Sequence, residues 1–198
     1  MKCAKQYTNG EKVAVLNFAN PFEPGGGVQR GAVAQEESLC RCSNLFESIN
    51  SLGVRARFYE YHKSNNNNML FSDRIIFSPN VSAFKSDDIY EMPKNRFCVD
   101  VITCAAPYNV DGHDESVLIE IYKTRLTNIF EVAADNDADV LILGAFGCGV
   151  FSNPPELMAK SFKRLIQDKY YQFFTEICFP LIKSNYNKNY DVFSSVLG

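Results

Sequence analysis

The sequence predicts an α/β fold, a sheet sandwiched between layers of helices. Three features carry that reading. Short apolar runs are bounded by turn residues, stretches of helical periodicity lie between them, and the runs lack polar alternation, which marks strands covered on both faces. The 198 residues fit a single domain, 1–198, and 46% apolar residues with 16 Phe and 10 Tyr supply a sizeable core.

Residues 13–18 form an apolar run between Gly10 and the turn-forming Asn20-Pro21, long enough for a strand and too short for a helix. Runs of the same kind lie at 74–77, 97–105, 140–143 and 176–179. Helical periodicity is clearest over 114–134, where Leu118, Ile121, Tyr122, Leu126, Ile129, Phe130 and Ala133 recur at three- and four-residue steps. A second helix opens at Asn153, read as an N-cap, with Pro154 and Pro155 in its first turn and Glu156 three positions on. A third opens at Gln35 and continues to Phe46. The asparagines at 65–68 read as an exposed loop tip, and the stretches 1–11 and 184–188 carry few signals.

Charge excludes one class of function. Lys and Arg number 20 against 23 Asp and Glu, a net charge of -3 with no block of one sign, so the basic footprint of direct DNA binding is absent. A nucleotide-like ligand would have to be held by local geometry. The seven cysteines (Cys3, Cys40, Cys42, Cys98, Cys104, Cys148, Cys178) are odd in number and mostly sit in apolar runs, as reduced core residues of an intracellular protein do. No leader pattern opens the chain and no apolar run approaches membrane-spanning length, so neither secretion nor membrane insertion is expected. A monomer in the cytoplasm is the default, with the nucleus not excluded.

In sheets of this kind ligands sit beyond the carboxyl ends of strands, so the turn after each strand is where chemistry is sought. Two turns stand out. After the first strand come Gly25, Gly26, Gly27 and Val28, whose N–H groups can converge on an anion because glycine accepts positive φ. Taken alone, a triple glycine also suits a flexible loop. Beyond it, Gln35, Glu36 and Glu37 open a helix; two acids there also suit a solvated first turn that complements the helix dipole. Adjacent helical residues point about 100° apart, so at most one of the pair can face a given reacting atom and the other needs a different role.

The second turn, Gly144 to Asn153, joins an apolar strand to a helix and contains Gly147, Cys148, Gly149, Val150 and Phe151. Free backbone donors and the helix dipole make such a turn an anion site. It lacks the Lys of a triphosphate-binding loop, and Ser152 stands where a dinucleotide fingerprint has its third glycine. Cys148 reads as structural, since only His62 and His113 could serve it as a base and neither adjoins a recognisable partner. Those two histidines, far apart in the chain, also make a His-based metal site improbable.

The run Val-Leu-Asn-Phe-Ala-Asn at 15–20, the Pro-Gly-Gly-Gly-Val at 24–28 and the Ala-Gln-Glu-Glu-Ser-Leu-Cys at 34–40 together resemble the signature of bacterial-type poly(ADP-ribose) glycohydrolases, which are macrodomain enzymes. The resemblance continues through 72–81, 101–107, 140–154 and 173–179, nearly the whole chain from Lys12 on. It implies a macrodomain-like fold, a three-layer α/β/α arrangement with a mixed sheet between helices and an ADP-ribose cleft, and hydrolysis of ribose-ribose O-glycosidic bonds, mainly from chain ends, without metal or other cofactor. The partner would be ADP-ribose polymer or an ADP-ribosylated protein. By position, Glu37 matches the catalytic acid, and Glu36 its neighbour that holds the ribose at the cleavage site. Asn20 matches the residue orienting the distal ribose. Gly25, Gly26, Gly27 and Val28 match one diphosphate loop; Gly147, Cys148, Gly149 and Val150 match the opposing one; and Phe151 matches the aromatic on the distal ribose. Gln35 is counted among the substrate-binding residues. The departure is at the start: relatives usually carry a longer segment before the first strand, and here twelve residues precede it, so the sheet edge and the adenine side of the cleft are what the resemblance leaves open.

Glycoside cleavage through an oxocarbenium-like ribose needs a proton donor for the leaving oxygen and then a base for water, and one carboxyl, Glu37, can serve as both in turn. Two other functions fit the same cleft: a non-catalytic ADP-ribose reader, and a hydrolase that removes single ADP-ribose units from proteins. The presence of both Glu36 and Glu37 favours an enzyme.

Overall fold

The computed structural model describes residues 1–7, 10–65, 67–85 and 96–198. Of the four asparagines at 65–68, Asn66 lies outside the described residues; Asn68 is exposed, with a φ of 54°. The strands are β1 (Val13–Phe18), β2 (Ile75–Ala83), β3 (Phe97–Cys104), β4 (Val140–Ile142) and β5 (Glu176–Cys178). Their order is β2-β3-β1-β4-β5, with β3, β1, β4 and β5 parallel and β2 antiparallel to β3.

Each central strand is apolar on both faces, for the reason the runs suggest. Val13, Val15, Val99, Val101, Val140 and Ile142 turn one way, onto a layer that includes α1 (Lys2–Lys5), α2 (Gln35–Cys42), α3 (Leu45–Ile49) and a continuous helical stretch made of α4 (Leu52–Val54), a π-helical turn (Arg55–Tyr59) and α5 (Glu60–Ser64). Ala14, Leu16, Ile102, Cys104 and Leu141 turn the other way, onto α6 (Glu115–Asp135), α7 (Pro155–Asp168) and α8 (Asn189–Leu197). Helix α6 buries the periodic stripe Leu118, Tyr122, Leu126, Ile129, Phe130 and Ala133. Each fully buried large side chain of that stripe is worth roughly 1.5–3 kcal/mol.

Four features differ from the sequence reading. Strand β2 runs on to Ala83 instead of stopping at Phe77. It bears Pro79 at a bulge between Ser78 and Val81, which an edge strand tolerates because no ladder bond is lost there. Residues 35–46 are two helices, not one, because Ser43 is extended and bridges Ala83. Asn153 does not cap α7: Pro154 holds the cap position, and the Asn153 amide instead donates to the carbonyls of Pro107 (2.7 Å) and Gly147 (3.0 Å) while its oxygen accepts the Tyr122 hydroxyl. The stretch 1–11 contains α1, and beyond the weakly marked 184–188 the chain forms α8, anchored by Phe193, whose ring lies 5.9 Å from that of Phe179.

Candidate active site

Strands β3 and β1 end side by side, with Phe18 opposite Cys104, and the parallel β4 stops three residues earlier, with Ile142 opposite Val15. The two glycine turns therefore open at the same edge of the sheet, one after β1 and one after β4. Ring contacts tie them together. Phe18 lies 5.7 Å from Phe146 of the second turn, while Phe71 lies 5.5 Å from Phe22 of the first turn and 6.2 Å from Phe151 of the second.

The first turn is folded by Asn20, whose Oδ1 accepts the N–H groups of Phe22 (2.8 Å) and Glu23 (2.9 Å). Gly25 and Gly26 are left-handed, with φ of 68° and 54°. A Cβ on Gly26 would lie 2.5 Å from Glu37 Oε1, so only glycine lets the main chain approach that carboxylate. The Gly27 N–H donates to the same oxygen at 2.8 Å. Glu37 Oε2 has no hydrogen-bond partner among the described residues.

Helix α2 is fastened to β1 by its first residue. Beyond Val15, β1 outruns β4, and Gln35 supplies what a longer neighbour would: Oε1 accepts the Phe18 N–H (2.9 Å) and Nε2 donates to the Leu16 carbonyl (2.7 Å). Both ends of that amide are thus engaged by main chain, and Gln35 docks α2 on β1. The dock brings two acids inward. Glu36 and Glu37 are 3% and 7% exposed, so neither belongs to a solvated first turn.

The two acids take different surroundings, as their angular separation demands. Glu36 Oε2 accepts the Asn20 N–H at 2.7 Å, and Oε1 accepts Asn17 Nδ2 at 3.2 Å. Asn17 in turn donates to Thr103 Oγ1 at 3.1 Å. Burial outweighs these hydrogen bonds and pushes the Glu36 carboxyl up to about 8, so Glu36 holds a proton at neutral pH. The pair therefore offers one neutral, tethered acid and one carboxyl with an unengaged oxygen beside the first turn.

In the second turn Gly147 has a φ of 72°, and its missing side chain makes room for Ala106 and Asn153. Nothing lies within 4 Å of where a Cβ on Gly149 would be, and Val150 is exposed. Ser152, in the place of a third glycine, itself takes a φ of 54°. Burial pushes the Cys148 thiol up to about 12, which leaves it protonated and a poor nucleophile. Phe151 rests its ring 5.5 Å from that of Tyr108.

With this geometry in hand, the chain can be set beside known proteins. Residues 1–86 match the family model described as the catalytic domain of microbial-type PARG. Over 98% of this chain and 74% of the other, the structure is similar to the poly(ADP-ribose) glycohydrolase of Thermomonospora curvata bound to the inhibitor ADP-HPD, at 31% identity and a TM-score of 0.90. It is likewise similar to the poly(ADP-ribose) glycohydrolase of Deinococcus radiodurans in complex with ADP-ribose, at 30% identity and a TM-score of 0.89 over 99% of this chain and 79% of that one. The chain belongs to the microbial-type poly(ADP-ribose) glycohydrolases. No curated protein matches it.

Several residues that shape the cleft of this glycohydrolase escaped the sequence reading. Asn17 and Thr103 are register partners on β1 and β3 and both are fully buried. They are polar where the two-residue alternation calls for an apolar side chain, and that break was the available signal. Phe71, with a φ of 61°, is held by neighbours on both sides. The guanidinium of Arg125 donates to the carbonyls of Leu70 (3.1 Å) and Ala105 (2.8 Å) and to Asp73 Oδ1 (3.0 Å). His62 Nε2 accepts the N–H of Ser72 at 3.2 Å; burial and the nearby Arg125 charge lower its pKa to about 4, so the ring stays neutral. Among the described residues no group of three His, Cys, Asp or Glu side chains is placed to hold a metal ion, and no helix is long and apolar enough to cross a membrane.

Proposed function

We propose that this glycohydrolase releases ADP-ribose from the ends of ADP-ribose polymer, with Glu37 as general acid and then general base. The observation that carries the reading is the seat of Glu37: a buried carboxyl at the start of α2, fixed through Oε1 by Gly27, with Oε2 taken by no partner among the described residues. The N–H groups of residues 25–28 are taken up within the turn and by the two acids, so that backbone packs against one side of the diphosphate while the N–H groups of Gly147, Gly149 and Val150 donate to it from the other; Phe151 packs on the distal ribose, and the Asn20 amide nitrogen orients it. Glu36, neutral and fastened to Asn17 and Asn20, donates its proton as a hydrogen bond to a ribose hydroxyl.

The reaction then has two steps. The Glu37 carboxyl gives its proton to the departing ribose oxygen as the glycosidic C–O bond breaks, leaving an oxocarbenium-like ribose. Water adds to that carbon while the Glu37 carboxylate takes its proton, which returns the acid to its starting state. Replacing Glu37 with Gln keeps the shape and the Gly27 contact and removes the transferable proton. ADP-ribose affinity should stay within a few-fold while release of ADP-ribose from polymer falls by about 10²–10⁴. A variant with near-normal turnover would remove Glu37 from the chemistry, and release of single units from modified protein but none from polymer would reassign the substrate.

A further inference from the structure

On the far side of the Phe71 wall lies an open groove of about 510 Å³ that the proposed mechanism does not use. Its lining includes Val54, Arg57 and Phe58 from the helical stretch on one side, and Arg74, Ile76 and Phe77 at the start of β2 on the other. We propose that this groove is a second subsite for the substrate, holding the pyrophosphate and base of another ADP-ribose unit of the polymer; the inference rests on polymer being the substrate.

Position is the first argument. Strand β2 is antiparallel to β3, so Ile75 sits opposite Cys104, and the groove opens at the same edge of the sheet as the cleft. Phe71, which packs on Phe151 of the cleft, is three residues from Arg74, a span of at most about 10 Å of extended chain. A polymer leaving the cleft over that wall enters the groove.

Charge is the second. The chain as a whole is acidic, at -3, yet the groove is rimmed by two exposed arginines that no carboxylate pairs with among the described residues. Arg74 places its guanidinium carbon over the Tyr61 ring, 3.7 Å from the centroid, which holds the side chain at the rim. A guanidinium held there forks onto phosphate oxygens, and its face also accepts a stacked base. Local backbone is the third. Arg57 and Phe58 sit in the π-helical turn Arg55–Tyr59, a rare conformation that recurs at functional sites.

The test compares wild type with the double variant Arg57→Glu, Arg74→Glu in steady-state hydrolysis of long polymer, with ADP-ribose affinity measured by calorimetry. KM for long polymer should rise about tenfold with kcat unchanged, as expected for two lost and reversed exposed contacts, and its salt dependence should flatten. ADP-ribose affinity should not change. The neutral pair Arg57→Gln, Arg74→Gln, expected at about threefold, covers the case in which charge reversal disturbs folding. An unchanged KM in an active, folded variant overturns the subsite, as does a parallel loss of ADP-ribose affinity. Equal competition by polyglutamate or single-stranded DNA of matched charge would make the groove a general polyanion surface and overturn it too. A wild type that turns over no polymer fails the underlying reading, and is told apart from failure of the subsite alone, where wild type is active and the variant matches it.

Discussion

The two glycine turns are built from similar letters and do different work. In the first, the glycines are pressed against acids: Gly26 leaves no room for a side chain beside Glu37, and the Gly27 N–H is engaged by that carboxylate. In the second, Gly147 is pressed against Ala106 and the buried amide of Asn153, Gly149 faces open space, and Cys148 is kept protonated. A glycine-rich turn after a parallel strand is thus only a cradle. Whether it also carries chemistry depends on what the next helix delivers to it, and here α2 delivers two buried carboxyls whereas α7 opens with two prolines.

The contrast breaks most severely at Gly26. A Gly26→Ala change would force a side chain into left-handed backbone and into the Glu37 carboxylate. It should lower stability by about 1–3 kcal/mol and, by shifting the acid, lower turnover by about 100-fold. Urea unfolding and the rate of ADP-ribose release read the two effects separately. A variant that is destabilised yet fully active would mean that Glu37 does not depend on its contact with the turn.

How much of this was legible in the sequence follows from where the signals were local. Strands β1, β3 and β4 were readable because they are apolar on both faces, and α6 because a long stripe repeats. The glycines and the acid pair were readable because each is a cluster of unusual letters. What was not readable depended on contacts far apart in sequence. Asn153 has the letters of a helix cap, but Tyr122 and Pro107, more than 30 residues away, recruit its amide instead. Gln35 looks like a partner of the neighbouring acids, and only the mismatch in length between β1 and β4 gives it a main-chain role. The Phe71 wall has no motif, because its conformation is imposed by Arg125 and by Tyr108, whose N–H donates to the Met69 carbonyl.

The next effect in size separates the two acids by pH. Glu36 keeps its proton in the folded protein up to about pH 8, whereas an unfolded chain releases it near the ordinary value of 4.5. Between those values the unfolded state binds fewer protons than the folded one, so stability falls with rising pH by up to about 1.4 kcal/mol per unit, and the loss levels off above 8. Glu36→Gln carries no such proton. The stability of the variant relative to wild type should therefore improve steadily from pH 5 to pH 8, measured by urea midpoints at several values. A difference that is flat across that range would mean that the Glu36 carboxyl ionises as a solvated acid does, and its role as a neutral hydrogen-bond donor would fall.

The smallest effect on the folded protein is expected at Gly149, and it isolates the second cradle. Its φ is not left-handed and a Cβ there would meet no protein atom, so Gly149→Ala should move the unfolding free energy by less than about 0.5 kcal/mol. Any change in ADP-ribose affinity then comes from the ligand side of the turn alone. If the main chain of residues 147–150 closes on the diphosphate, the added methyl stands at that contact and affinity should weaken by about fivefold, close to 1 kcal/mol, in calorimetry. An affinity equal to that of wild type would move the diphosphate away from Gly149 and leave the first turn, with its acids, as the cradle that grips it.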